Sequence, residues 1–189
     1  MELLQAIYQR RAIRHFTDAT VTRGVVLEIL QAAAQAPSAL NLQPWAFAVF
    51  HGRRRLTEYS SQAKAHLLAT TDPSFGLDPR IDKYANATVN IFHDADTLVV
   101  VCAKSSRFHP VEDCFLAAQN LMLAAHGLGL GSCPVGFARP WFNLPHIKGE
   151  LGIPSHYTPV MPIVLGYPAH PLPESPKNAP ETIAWHWDD

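Results

Sequence analysis

Apolar residues recur at helical spacing at the very start of the chain, where Leu3, Leu4 and Ile7 predict a short helix that stops as a run of arginines begins. Thr22 can cap a second helix whose apolar stripe is Val25, Val26, Ile29, Leu30 and Ala33, and Pro37 marks its end. The period then changes. "WAFAVF" (45–50) is compact and rich in aromatic and β-branched residues, which predicts a buried strand, and "TLVVVCA" (97–103) predicts the central strand of a sheet. Between them a more polar helix is expected from Arg53 to about Ala69, followed by a loop through "TTDPSFGLDP". Pro110 opens a long helix to about His126, with Phe115, Ala118, Leu121, Met122 and Ala125 expected toward the core. The last strand is "PIVLGY" (162–167), with prolines at its beginning and end, where they do least harm.

Helices outnumber strands and do not alternate with them one for one. That pattern predicts an α+β fold, with helices packed on a small mixed or antiparallel sheet, and argues against a doubly wound parallel sheet. One domain is expected over residues 1–169, since nothing inside it reads as a flexible linker. The stretch after Gly166 differs in kind. "YPAHPLPESPKNAPETIAWHWDD" holds five prolines, which favour extended backbone, and ends in alternating Ile183, Trp185 and Trp187. Residues 170–189 are therefore expected to form an extended arm with aromatic anchors packed against another surface; composition alone also fits a disordered tail.

Composition changes this picture little. The 189 residues are 48% hydrophobic, enough for one core, and 15 Lys plus Arg against 16 Asp plus Glu give no general attraction to nucleic acid or an acidic membrane. The uncharged stretches 29–52 and 114–138 are interrupted by polar residues, prolines and glycines, so they read as core segments and not as membrane spans. Glu2 follows Met1 where a secretory signal would be basic and then apolar. Cys102, Cys114 and Cys133 form an odd set without a CxxC pair, which fits a reducing compartment, so a cytoplasmic location is expected. The ten histidines are scattered, with no HExxH and no ligand-spaced pairing with cysteine, and no metal site is expected.

Three stretches can carry chemistry. "RRAIRHF" (10–16) sets Arg10, Arg11 and Arg14 close together; such a cluster repels itself unless an anion or carboxylates neutralise it, and guanidinium groups pair well with phosphate. Charge spacing alone favours a solvated basic turn between two helices. "APSALNLQPWAF" (36–47) presents Ser38, Asn41 and Gln43 from a short loop, neutral donors and acceptors suited to the edge of a heteroaromatic ring. "GLGLGSCPVGFA" (127–138) ends a helix in glycines that permit close backbone approach to a flat ligand, although it matches neither a P-loop nor a dinucleotide fingerprint.

Taken in chain order, "RRAIRHF", "APSALNLQPW", "AAQNLMLAAHGLGLGSC" and "PVMPIVLGYP" resemble the FMN-dependent nitroreductase family over nearly the whole length. The resemblance implies a three-layer α+β flavoprotein that forms a homodimer with tightly but non-covalently bound FMN at the subunit interface. It assigns Arg10, Arg11, Ala12 and Arg14 to the FMN phosphate. Pro37, Ser38, Asn41 and Gln43 are assigned to ring and ribityl contacts, often with the partner's flavin, Pro134, Val135 and Gly136 to the isoalloxazine, and Lys177 to closing the phosphate site. Three positions depart from the family pattern: Ala12 stands where many relatives have serine, Val135 where some have glutamate, and Lys177 is a single cation where a pair is common. Residues 53–96 match nothing assignable.

The resemblance further implies an oxidoreductase that takes hydride from NADH or NADPH and reduces a small organic acceptor, a nitroaromatic, quinone or enone, by a ping-pong mechanism. Because the cofactor performs the redox step, no catalytic side chain is named. Cys133, beside the glycine bend, is either redox-active or a small buried thiol. Two other classes remain open: a non-catalytic FMN-binding sensor or store, and a metal-dependent hydrolase.

Overall fold

The computed structural model describes residues 2–70, 89–104, 108–171 and 175–187. Where the apolar period is helical, the chain is helical. α1 spans Leu3–Gln9 and α2 Arg23–Ala33; the Thr22 hydroxyl accepts the Val25 N–H at 3.4 Å, and Val26, Ile29 and Ala33 form the buried face. After a single tight turn at Ala39–Asn41 come β1 (Trp45–His51), α3 (Arg53–Thr70) and β2 (Thr97–Ala103). α4 (Pro110–Gly127), β3 (Gly131–Pro134), the short helices α5 (Arg139–Phe142) and α6 (Pro145–Glu150), and β4 (Thr158–Gly166) complete the order. The loop expected at 71–80 lies outside the described residues.

The four strands form one antiparallel sheet in the order β1-β2-β4-β3. Alternation along β2 explains both its composition and the layering. Val99, Val101 and Ala103 pack with Val26 and Ile29 of α2 and Ala117 and Leu121 of α4, whereas Leu98, Val100 and Cys102 pack with Leu56 of α3, Phe142 of α5 and Ile147 of α6. A strand buried on both faces has no polar side to show, so it reads as an unbroken apolar run. The fold is the expected α+β arrangement in three layers. Each fully buried large side chain, such as Leu121 or Ile163, contributes about 1.5–3 kcal/mol.

Three local expectations need correction. Phe115 is 40% exposed: the core face of α4 is Cys114, Ala117, Ala118, Leu121 and Ala125, and Phe115 lies one residue, about 100°, around from it. β4 begins at Thr158, so Pro159 and Pro162 lie within an internal strand. Pro162 is tolerated because its missing N–H faces Val135, just past the end of β3, and the Val135 carbonyl accepts the Ala138 N–H instead. The glycine-rich stretch contains a true strand, β3, which its shortness and glycine content concealed.

The opening arginine segment is tied down across the ends of this sheet. Ala12 makes a parallel bridge with Ser132 and Phe16 an antiparallel bridge with Pro168; the Ile13 N–H donates to the Ser132 carbonyl at 3.0 Å. Gly131 and Gly166 make the close approach possible, since a Cβ on either would fall 2.6 Å from Ile13 Cβ or 2.7 Å from Phe16 Cδ1.

Residues 175–187 adopt no helix or strand, and Ile183, Trp185 and Trp187 are exposed, the two indoles stacked 5.7 Å apart. Among the described residues no helix is long and apolar enough to cross a membrane.

Candidate functional site

The bridge between Ala12 and Ser132 carries the basic segment onto the glycine bend. Arg14 lines a cavity of about 160 Å³ together with Cys133, Pro134, Val135, Gly136 and Phe137, so two of the three chemistry-bearing stretches meet within one chain. Ile91 and His93 close the same cavity from the turn before β2. On its other side Arg14 lines a second cavity of about 320 Å³ with Ala12, Ile13, His15, His170 and Pro171. Arg14 is thus common to the linings of two cavities.

The electrostatics are one-sided. The salt bridges among the described residues are Arg53–Asp18 and His109–Glu112, and neither involves Arg10, Arg11 or Arg14. Arg11 instead donates to the Tyr8 and Arg10 carbonyls, at 2.6 and 2.9 Å, which caps the end of α1. The fields of these cations reach their neighbours. Burial pushes the Cys133 thiol up, and the nearby charges of Arg14 and Arg10 pull it partly back. Desolvation lowers the His126 pKa from 6.5, and Arg10 and Arg11 lower it further. Burial pushes Cys102 and Cys114 up to about 12, so they are ordinary core thiols.

At the bend, the Val135 N–H is committed to the Pro162 carbonyl at 2.8 Å, and Val135 itself is buried. Gly136 is exposed, and a Cβ there would find no atom within 4 Å, so the space beside its backbone is open. Pro134, Val135 and Gly136 therefore sit where a flat ring can lie against peptide groups.

The third stretch is not in this pocket. The loop bearing Pro37, Ser38, Asn41 and Gln43 sits on the N-terminal turn of α4, where the buried Asp113 carboxylate accepts the Ala39 N–H at 3.3 Å from both oxygens. The Ser38 hydroxyl accepts the Gln43 N–H at 2.9 Å, and the Gln43 amide donates to the Asn41 side chain at 3.0 Å. Leu40, Asn41 and Gln43 all have positive φ, conformations that non-glycine residues adopt at a cost and that here hold the loop in one shape. Lys177 is exposed on the arm.

Ile91 and His93 are lining residues that no motif pointed to, and Phe137 lies in the glycine-rich stretch without having been singled out. The only local signal is the left-handed backbone at His93 and Asp94, held by Asn90, whose side chain accepts the Phe92 N–H and donates to Asp94. A larger and more apolar cavity, about 590 Å³, lies between α2 and β1. It is lined mainly by residues such as Val21, Val26, Leu27, Leu30 and Val49 and holds none of the chemistry-bearing stretches.

Three layers of helix and sheet, with Arg14 brought onto the Cys133–Gly136 bend, define the class: an α+β chain in which a basic segment and a glycine bend share one cavity. Residues 7–167 match the model of the Nitroreductase family, and the chain belongs to that family, whose members are oxidoreductases. It is 33% identical over 173 residues to a protein of Methanothermobacter thermautotrophicus whose name offers two activities, NADH dehydrogenase and NAD(P)H nitroreductase; the match covers 89% of this chain and 78% of the relative. It is 31% identical to the nitrobenzene nitroreductase of Ectopseudomonas oleovorans, covering 89% of this chain and 88% of that one. Its fold superposes on the crystal structure of a nitroreductase with bound FMN from Bacteroides fragilis with a TM-score of 0.83, at 24% identity over 100% of both chains.

Proposed function

We propose that the protein is an FMN-dependent oxidoreductase that takes hydride from NADH or NADPH and reduces a small organic acceptor, a nitroaromatic, quinone or enone. The observation that carries this reading is the convergence of Arg14 with the Cys133–Gly136 bend, next to arginines that no described carboxylate neutralises. An anion among clustered cations relieves their mutual repulsion, and the planar guanidinium fork suits a phosphate. The open face of Gly136 suits a ring, so both ends of a flavin phosphate fit the residues present.

In this reading Arg10, Arg11 and Arg14 hold the phosphate, with Lys177 closing over it, and Ala12 leaves room without adding a hydroxyl. Pro134, Val135 and Gly136 support the ring, and Ile91, His93 and Phe137 shape the space beside it. When bound, FMN supplies the hydride chemistry, accepting from a nicotinamide and giving to an acceptor. The chain's own residues bind, orient and shield. Donor and acceptor use one face in turn, which predicts ping-pong kinetics.

The working unit is a homodimer. Leu3, Leu4, Ile7 and Tyr8 on α1 and Phe115 and Leu116 on α4 are exposed large apolar side chains that a single chain leaves uncovered, and patches of this kind mark interfaces. In this reading Pro37, Ser38, Asn41 and Gln43, whose loop is held by its own hydrogen bonds outside the Arg14 cavity, serve the partner's flavin. The arm from residue 170 crosses to the partner, and the apolar cavity between α2 and β1 suits its two indoles.

An absorbance spectrum of the purified protein, followed by anaerobic addition of each nicotinamide, tests the reading. Flavin bands that bleach with NADH or NADPH and return with an acceptor support it. A yellow protein that no nicotinamide bleaches would be a flavin-binding sensor or store, and a colourless one that takes up no added FMN would refute the assignment.

A further inference from the structure

Arg14 faces two hollows, and the proposed function uses the basic character of only part of that surface. The larger hollow, about 320 Å³, is lined by Ala12, Ile13, Arg14, His15, His170 and Pro171. His15 and His170 approach with ring centroids 5.9 Å apart, His15 on the opening segment and His170 just beyond β4. Their closeness is built into the fold. The Ala169 N–H donates to the His15 carbonyl at 3.0 Å, and the Phe16–Pro168 bridge fixes the register of the two segments.

We propose that His15 and His170 form a proton-dependent second half of the Arg14 anion grip, so that the chain holds a phosphate-bearing ligand more tightly when the imidazoles are charged. The inference rests on the FMN reading above and adds two binding residues and a pH dependence to it. Two imidazoles this close repel when both are protonated, and a phosphate between them and Arg14 removes that repulsion. Among the described residues the titratable or charged side chains facing the hollow are Arg14 and the two histidines themselves, with no carboxylate to compete for the anion. Both rings are exposed, so a ligand reaches them from solvent. The pair also offers a replacement for the hydroxyl contact that Ala12 lacks.

The test is a fluorescence titration of deflavinated dimer with FMN and, in parallel, with riboflavin, across a pH series, for the parent and for His15→Gln/His170→Gln. The FMN phosphate takes its second charge near pH 6 in any case, so the informative quantity is the ratio of variant to parent Kd at each pH. That ratio is expected to be about tenfold for FMN at the acid end, given exposed but charge-assisted contacts, and to shrink toward one at the alkaline end. The riboflavin ratio is expected to stay near one throughout. A ratio for FMN that does not change with pH, or one that riboflavin shares, would overturn the inference while leaving the cofactor reading intact. A parent protein that binds neither flavin at any pH would remove both. Should the double variant fold poorly by circular dichroism, His170→Gln alone, outside the sheet, reads the same trend.

Discussion

Replacing Gly131 by alanine tests whether the strand pairing around Ile13 holds the arginines in place. The new Cβ would lie 2.6 Å from Ile13 Cβ and 2.8 Å from both its Cγ1 and Cγ2. Comfortable carbon contacts begin at about 3.5 Å, so roughly 1 Å must be found. Ile13 is buried at 6% exposure, and its N–H is bonded to the Ser132 carbonyl at 3.0 Å, so neither rotation nor retreat is free. Overpacking of this kind costs about 1–3 kcal/mol. In a chain of this length that corresponds to roughly 2–4 °C in Tm per kcal/mol, measured at fixed protein concentration. Arg14 follows Ile13 directly, so the same displacement moves its guanidinium, and a 1 Å error in a charged grip weakens binding by at least about tenfold. Differential scanning calorimetry of the deflavinated protein and an FMN titration read the two effects separately. An unchanged Tm would show that the close packing is not real, and a lowered Tm with unchanged FMN affinity would show that the bridge does not position Arg14.

Other predictions follow the same geometry. Gly136→Ala is expected to leave the stability of the deflavinated protein within about 0.5 kcal/mol, because its Cβ meets nothing within 4 Å, yet to weaken FMN binding by filling the open space there; equal affinity in titration would count against the ring placement. Arg14→Ala should lose FMN on gel filtration while circular dichroism stays native, and full retention of flavin would argue against the phosphate assignment. His126 has a folded pKa below 6.5, so as pH falls through 6.5 the unfolded chain takes up its proton first and stability drops, having been fully present above that value. Urea midpoints measured from about pH 7.5 to about pH 5.5 should therefore fall less steeply in His126→Gln, and parallel slopes would refute this. Trp185→Ala/Trp187→Ala should raise the dimer dissociation constant in analytical ultracentrifugation, since both indoles are exposed on a single chain; an unchanged constant would mean the arm is not an interface element.

The elements legible in advance were those whose periodicity reflects burial within one chain. β2, apolar because both faces are covered, had boundaries that could be read directly, and α2 had its start at the Thr22 cap, although the helix ends at Ala33, ahead of Pro37. The four motifs in order pointed to the family, and the arginines and the glycine bend were visible because those residue types stand out from a neutral composition. β3 was not legible, since four residues of "GSCP" carry no alternation that exceeds the glycine signal around them. Phe115 was misjudged because an aromatic side chain at helical spacing looks the same whether it faces its own core or an uncovered surface.

Local pattern thus determined the helices, the central strand and the chemical character of the three candidate stretches, because each depends on neighbours within a few residues. Only tertiary structure decided which of them meet. The Ala12–Ser132 and Phe16–Pro168 bridges join positions more than a hundred residues apart and bring Arg14 to Gly136 and His15 to His170, while the Asp113 contact keeps the Ser38–Gln43 loop elsewhere. Such pairings are set by the packing of strand ends and by two glycines too small to obstruct them, and no local period records them.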